Sequence, residues 1–174
     1  MRVIQKVTLI IKNKISMSTA IYPGTFDPIH RGHIDIIERT AKMFGRLVVV
    51  IAKNSKKVNL FAEEERLEMV KKSVSHLNNV EVVFTSGLLA DIAKKKEAVA
   101  IIRGIRNSTD LDYEMPIAQM NEKLSGVTSV FILPNEKYSF LSSTIIREIA
   151  SYGEDCSEFV PENVARALKE KFTV

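Results

Sequence analysis

From Thr19 onward, short apolar runs rich in Val and Ile alternate with longer stretches that mix apolar and charged residues. Apolar runs of about four to eight residues fit buried strands, and mixed stretches with apolar positions three and four apart fit helices burying one face. The pattern predicts strands over residues 19–22, 47–52, 80–84, 98–102 and 128–132. It predicts helices near 30–43, 63–76, 88–96, 110–124, 143–151 and 161–172. Regular alternation of this kind feeds a parallel sheet covered on both faces, a doubly wound α/β domain. Val7 to Ile11 has the composition of a further short strand, but the regular pattern begins only after Met17. We therefore expect an N-terminal extension or upstream start over residues 1–18 and a domain over 19–174.

Local chemistry supports several element ends. Asp27-Pro28 places a capping side chain before a proline suited to a first helical turn. Glu63, Glu64 and Glu65 cluster where a helix dipole favours negative charge. Pro161 reads as the opening of the last helix.

Composition narrows the class. The 174 residues, 45% hydrophobic and 26% charged, are enough to bury a real core. A single cysteine, Cys156, rules out an intrachain disulfide and fits a reducing, cytoplasmic setting. No apolar run is long enough to cross a bilayer and no secretory signal stands out, so no membrane partner is expected. The net charge of +4 is carried by Arg2, Lys6, Lys12 and Lys14 in an acid-free N-terminus, leaving 21 basic against 21 acidic residues elsewhere. A neutral body lacks the basic stripe of a nucleic-acid binder, so none is expected as partner.

In an open α/β sheet, ligands bind beyond the carboxyl ends of the strands, where four segments carry chemistry. Tyr22-Pro23-Gly24-Thr25-Phe26-Asp27-Pro28-Ile29-His30-Arg31-Gly32-His33 runs from the first strand into the first helix. His30 and His33 share one face at that helix start, where free amides already attract anions. Lys53 to Lys57 follows the second strand and, alone, reads as a solvated basic loop. Arg103-Gly104-Ile105-Arg106 follows the fourth strand and sets two phosphate-binding forks around a glycine. Tyr138 to Arg147 contains Ser142-Ser143-Thr144 before an apolar helical run. Singly, these hydroxyls read as an N-cap; beside the histidine motif, they read as a second phosphate cradle.

Together these segments resemble the HxGH nucleotidyltransferases, whose hallmarks are the histidine motif and an ISSTxxR-like motif, here Leu141 to Arg147. Within that superfamily, Arg103-Gly104-Ile105-Arg106, Asp112-Tyr113-Glu114-Met115, Tyr138-Ser139-Phe140 and Phe159 to Val164 are similar to the phosphopantetheine adenylyltransferases. The similarity spans about residues 19–172 and implies a single Rossmann-like domain with a five-stranded parallel sheet. It implies AMP transfer from ATP to 4'-phosphopantetheine, in coenzyme A biosynthesis. His33, Lys57, Arg106 and Thr144 would be catalytic. Thr25, Phe26, His33, Gly104, Ile105, Arg106, Glu114 and the stretch Tyr138, Ser139, Phe140, Leu141, Ser142, Ser143 and Thr144 would bind ATP. Thr25, Lys57, Leu89 and Arg103 would bind phosphopantetheine.

Counting back from Phe61 selects Lys57 over Lys56. His30 stands where many members of this family have threonine, and full HxGH is common in transferases acting on nicotinate mononucleotide, which keeps that acceptor as the alternative. A nucleotide-binding module without turnover is the other, opposed by the number of phosphate-directed groups. The resemblance also implies magnesium held mainly by ATP phosphates with no protein metal site, a homohexamer of two stacked trimers, and feedback binding of coenzyme A.

Overall fold

The computed structural model describes residues 17–53 and 58–172. Five strands, β1 (Thr19–Gly24), β2 (Arg46–Ala52), β3 (Val80–Thr85), β4 (Ala98–Gly104) and β5 (Thr128–Ile132), form one sheet in the order β3-β2-β1-β4-β5. Every neighbouring pair is parallel. Between and after them lie α1 (Arg31–Met43), α2 (Glu63–Ser73), α3 (Leu89–Lys95), α4 (Ser108–Ser125), α5 (Ser143–Ser151) and α6 (Glu162–Phe172). The predicted strands and helices are all present. The strand expected at Val7 to Ile11 lies outside the described residues, as do Lys56 and Lys57.

Alternate strand residues face opposite sides of a sheet, and the core divides accordingly. Ala20, Tyr22, Leu47, Val49, Ile51, Ala100 and Ile102 join a large cluster with Ile36 and Ile37 of α1, Val70 of α2, Ile146 of α5 and Val164 and Leu168 of α6. Ile21, Val48, Val50 and Ile101 join a smaller one with Ala93 of α3. Val48, Val49 and Val50 are all 0% exposed, which is why β2 reads as an unbroken apolar run. Helix α4 contributes no buried residue at all.

The sheet reverses its winding between β1 and β4: β1 leads outward to β2 and β3, β4 to β5. A doubly wound sheet opens a crevice at such a switch point. Gly24 ends β1 and Gly104 ends β4, so the backbone closes no space there with side chains. At Gly104, a Cβ would stand 2.6 Å from Ile36 Cδ1 of α1, so the missing methyl lets α1 seat closely on the sheet.

The start of α1 differs from its prediction. Asp27 does not cap α1; the N-cap is His30. The Asp27 carboxylate instead accepts from the backbone N–H of Leu60 at 2.9 Å and of Phe61 at 3.0 Å. It also pairs with the Arg147 guanidinium at 3.2 Å. Two amides and a cation outcompete the local cap, and the carboxylate is held where nearly no water reaches it.

Candidate active site

A cavity of about 330 Å³ opens at the switch point. Thr25, Phe26, Asp27, His30, Gly32 and His33 line it from the turn after β1, and Gly104, Arg106, Asp110 and Glu114 from the segment after β4. Tyr138, Leu141, Ser142, Ser143, Thr144 and Arg147 close it from the C-terminal side. The N-termini of α1 and α5 therefore face one space, and each presents main-chain amides and a positive dipole end suited to anions.

The two histidines are stacked, with centroids 3.6 Å apart and planes at 26°. The edge of the Phe26 ring meets His33 at 5.0 Å. The backbone N–H of His30 donates to His33 Nδ1 at 3.3 Å. Burial, reinforced by the nearby Arg106 charge, pushes the His33 pKa down to about 3. The ring is therefore neutral near pH 7, and because Nδ1 accepts a hydrogen bond, its proton sits on Nε2. His30 is pushed well below the usual range by burial and then by His33, and its Nδ1 is buried without a partner.

Arg106 is clamped. Its Nε and Nη2 donate to Asp110 at 2.8 and 3.0 Å, and Nη1 donates to the Leu141 carbonyl at 2.9 Å. These bonds hold the Asp110 carboxyl below its ordinary range. The clamp exists because α4 starts earlier than its pattern predicts: the Asn107 side chain accepts from the Asp110 N–H at 2.9 Å and caps the helix. Asp110 is thereby fixed four residues past Arg106.

Arg103 does not line the cavity. Its Nε and Nη2 form a two-pronged pair with Glu114, and Nη1 donates to the Pro23 carbonyl at 3.3 Å. Arg103 and Glu114, assigned to different substrates by resemblance, thus meet each other across β4 and α4. Ile105 is buried, with its N–H given to Ile132 at 3.0 Å. Ser139 donates its hydroxyl to Glu136, and Phe140 lies on the surface with its ring edge-on to Phe159. Leu89 packs against the smaller core cluster, away from the cavity lining.

At the second cradle, Ser142 caps α5 by accepting from Ile145 N–H at 3.1 Å, as an N-cap reading requires. Ser143 donates to the Pro28 carbonyl at 2.9 Å, and Arg147 donates to the Asp27 carbonyl. These bonds stitch the two cradles together. Thr144 is left with its hydroxyl unbonded among the described residues, at the cavity wall. The roles of Asp27 and Asp110 at the site escaped prediction, since their partners lie far off in sequence or depend on where a helix starts.

A doubly wound parallel sheet with imidazole, guanidinium and hydroxyl groups gathered at its switch point fits a nucleotide-binding site, and the comparisons make the class a nucleotidyltransferase. The sequence model of the cytidylyltransferase-like family matches residues 21–149. The phosphopantetheine adenylyltransferase of Haemophilus influenzae strain 86-028NP is 52% identical over 156 residues, covering 89% of this chain and 100% of that protein. That of Actinobacillus pleuropneumoniae serotype 5b strain L20 is 51% identical over 154 residues, covering 88% and 98%. The chain belongs to the phosphopantetheine adenylyltransferase family.

Proposed function

We propose that this chain transfers the adenylyl group of ATP to the phosphate of 4'-phosphopantetheine, forming dephospho-coenzyme A and releasing pyrophosphate. The observation that carries this reading is the facing of two helix N-termini across one cavity, with His33 and Arg106 between them. Such a site grips a polyanion along its length.

The acceptor phosphate is already ionised near neutral pH, so no general base is needed. The reaction requires in-line placement of its oxygen against the α-phosphorus and stabilisation of charge as pyrophosphate departs. We assign the Nε2–H of neutral His33 as a donor to a phosphate oxygen. Its neutrality keeps the donor available without a proton that could be lost. Arg106 and the amides at the start of α5 hold the leaving phosphates, and Thr144 offers them a hydroxyl. Arg103, held by Glu114, and Lys57 are the side chains we assign to the acceptor phosphate.

Among the described residues no group of three or more His, Cys, Asp or Glu side chains could hold a metal ion. The side chains present fit magnesium that arrives with ATP, held by its phosphate oxygens; such an ion supplies charge neutralisation.

Self-association is part of the proposal. Tyr113, Met120 and Leu124 form an exposed stripe along α4, and Phe131 and Leu133 extend the apolar surface at the edge strand β5. An 18-residue helix with no buried residue needs a second surface, which supports the homohexamer expected by resemblance. Binding of coenzyme A as a feedback ligand follows from its containing both substrate halves, and the cytoplasm is the compartment where these substrates meet.

The test measures pyrophosphate release from ATP and magnesium with 4'-phosphopantetheine, beside nicotinate mononucleotide. His30 motivates the second acceptor: its buried, unpartnered Nδ1 lines the same cavity. Activity with nicotinate mononucleotide alone would reverse the acceptor assignment while keeping AMP transfer.

A further inference from the structure

Arg66 is the largest fully buried side chain among the described residues, with 0% exposure on α2. Its Nη1 donates to the Thr25 carbonyl at 2.8 Å. Its Nε and Nη2 are buried and have no hydrogen-bond partner among the described residues. Among the described residues no carboxylate pairs with it: on its own helix, Glu63 bonds Lys53, and Glu65 bonds the Ala62 amide and Lys171. A buried cation so poorly compensated opposes folding, and replacing such a charge by an apolar side chain is often neutral or stabilising. Its retention calls for a role other than stability.

The carbonyl it grips belongs to the peptide between Thr25 and Phe26. Phe26 has φ of 49°, in the left-handed region that a bulky residue avoids. That backbone turn carries the Phe26 ring over Gly24, where a Cβ would lie 2.8 Å from the ring, and sets its edge against His33. In a trans peptide the N–H points opposite to the carbonyl, so holding Thr25 O toward α2 turns the Phe26 N–H away from it. That N–H makes no hydrogen bond with the described residues, and both Thr25 and Phe26 line the cavity.

We propose that Arg66 is a positioning residue for adenylyl transfer, holding the Thr25–Phe26 peptide so that the Phe26 N–H donates to a nucleotide phosphate and the Phe26 ring backs His33. This inference rests on the adenylyl-transfer reading above. Arg66 touches neither substrate; it acts through one carbonyl.

The experiment compares full-length wild type, Arg66→Met and Arg66→Lys by thermal melting and by steady-state kinetics with both substrates. Methionine matches much of the buried volume without charge, whereas lysine keeps a donor for the carbonyl. The Met variant is expected to melt at or above the wild-type temperature while kcat/KM for ATP falls at least about tenfold, with KM for the acceptor within about threefold. The Lys variant is expected to recover part of that loss. A Met variant with kcat/KM within about threefold of wild type overturns the inference. So does one that melts well below wild type or fails to fold, since Arg66 would then serve the core. An inactive wild type in the same assay would defeat the adenylyl-transfer reading itself.

Discussion

His33 combines three constraints in one side chain: a stacked His30, an aromatic edge from Phe26, and a backbone donor on Nδ1. Each fixes ring orientation, while burial and then the Arg106 charge keep the ring neutral. Replacing it by alanine should lower kcat by about 10² to 10³, the range of lost oxyanion-type donors, while shifting ATP affinity far less. Single-turnover kinetics beside calorimetric ATP binding checks this; equal losses in both would remove its transition-state role. Burial also links the pair to stability. Unfolded imidazoles titrate near 6.5 and folded His33 at about 3, so between these values the unfolded chain binds more protons. The contribution is complete above about 6.5 and is lost progressively as pH falls toward 3. Melting temperature should therefore drop from pH 7.5 to 5, and less steeply in His30→Thr/His33→Asn; equal slopes would place the dependence elsewhere. The histidine motif was legible because two of three histidines sit three apart after a strand. Arg66 was not, since an arginine following three glutamates reads as solvent-facing, and only the fold turns it inward.

Elements position these residues through contacts at the strand ends. Gly104→Ala should press a methyl into Ile36 and cost about 1–3 kcal/mol, with Ile36→Val recovering part of it, as denaturant midpoints would show. An additive double variant would mean that α1 moves freely instead. Asp27 ties the β1–α1 turn to residues 60–61 and to α5. The strands were legible because their centres are short apolar runs, unbroken in β2, and β1 and β4 run on to Gly24 and Gly104. The helix starts were less so: Asn107 begins α4 at Ser108, where periodicity alone begins it at 110, and that shift creates the Arg106–Asp110 clamp. Asp27 was misread as a cap because its partners are 33 and 120 residues away.

At the scale of the molecule, the switch point of the sheet gathers groups from β1, β4 and α5 into one cavity, while α4 and the β5 edge leave an apolar face outward. If that face joins copies of the chain, Met120→Glu with Phe131→Lys should convert the assembly to monomers by light scattering; an unchanged mass would place the interface elsewhere. No helix among the described residues is long and apolar enough to cross a membrane. Leu89 flanks the smaller core cluster, and Arg103 is held in a pair with Glu114.

The most direct test of the central claim is formation of dephospho-coenzyme A, with matching pyrophosphate, from ATP, magnesium and 4'-phosphopantetheine. The account predicts turnover with this acceptor, none without acceptor, and little with nicotinate mononucleotide. Turnover confined to nicotinate mononucleotide, or ATP binding with no pyrophosphate released under any acceptor, would contradict it.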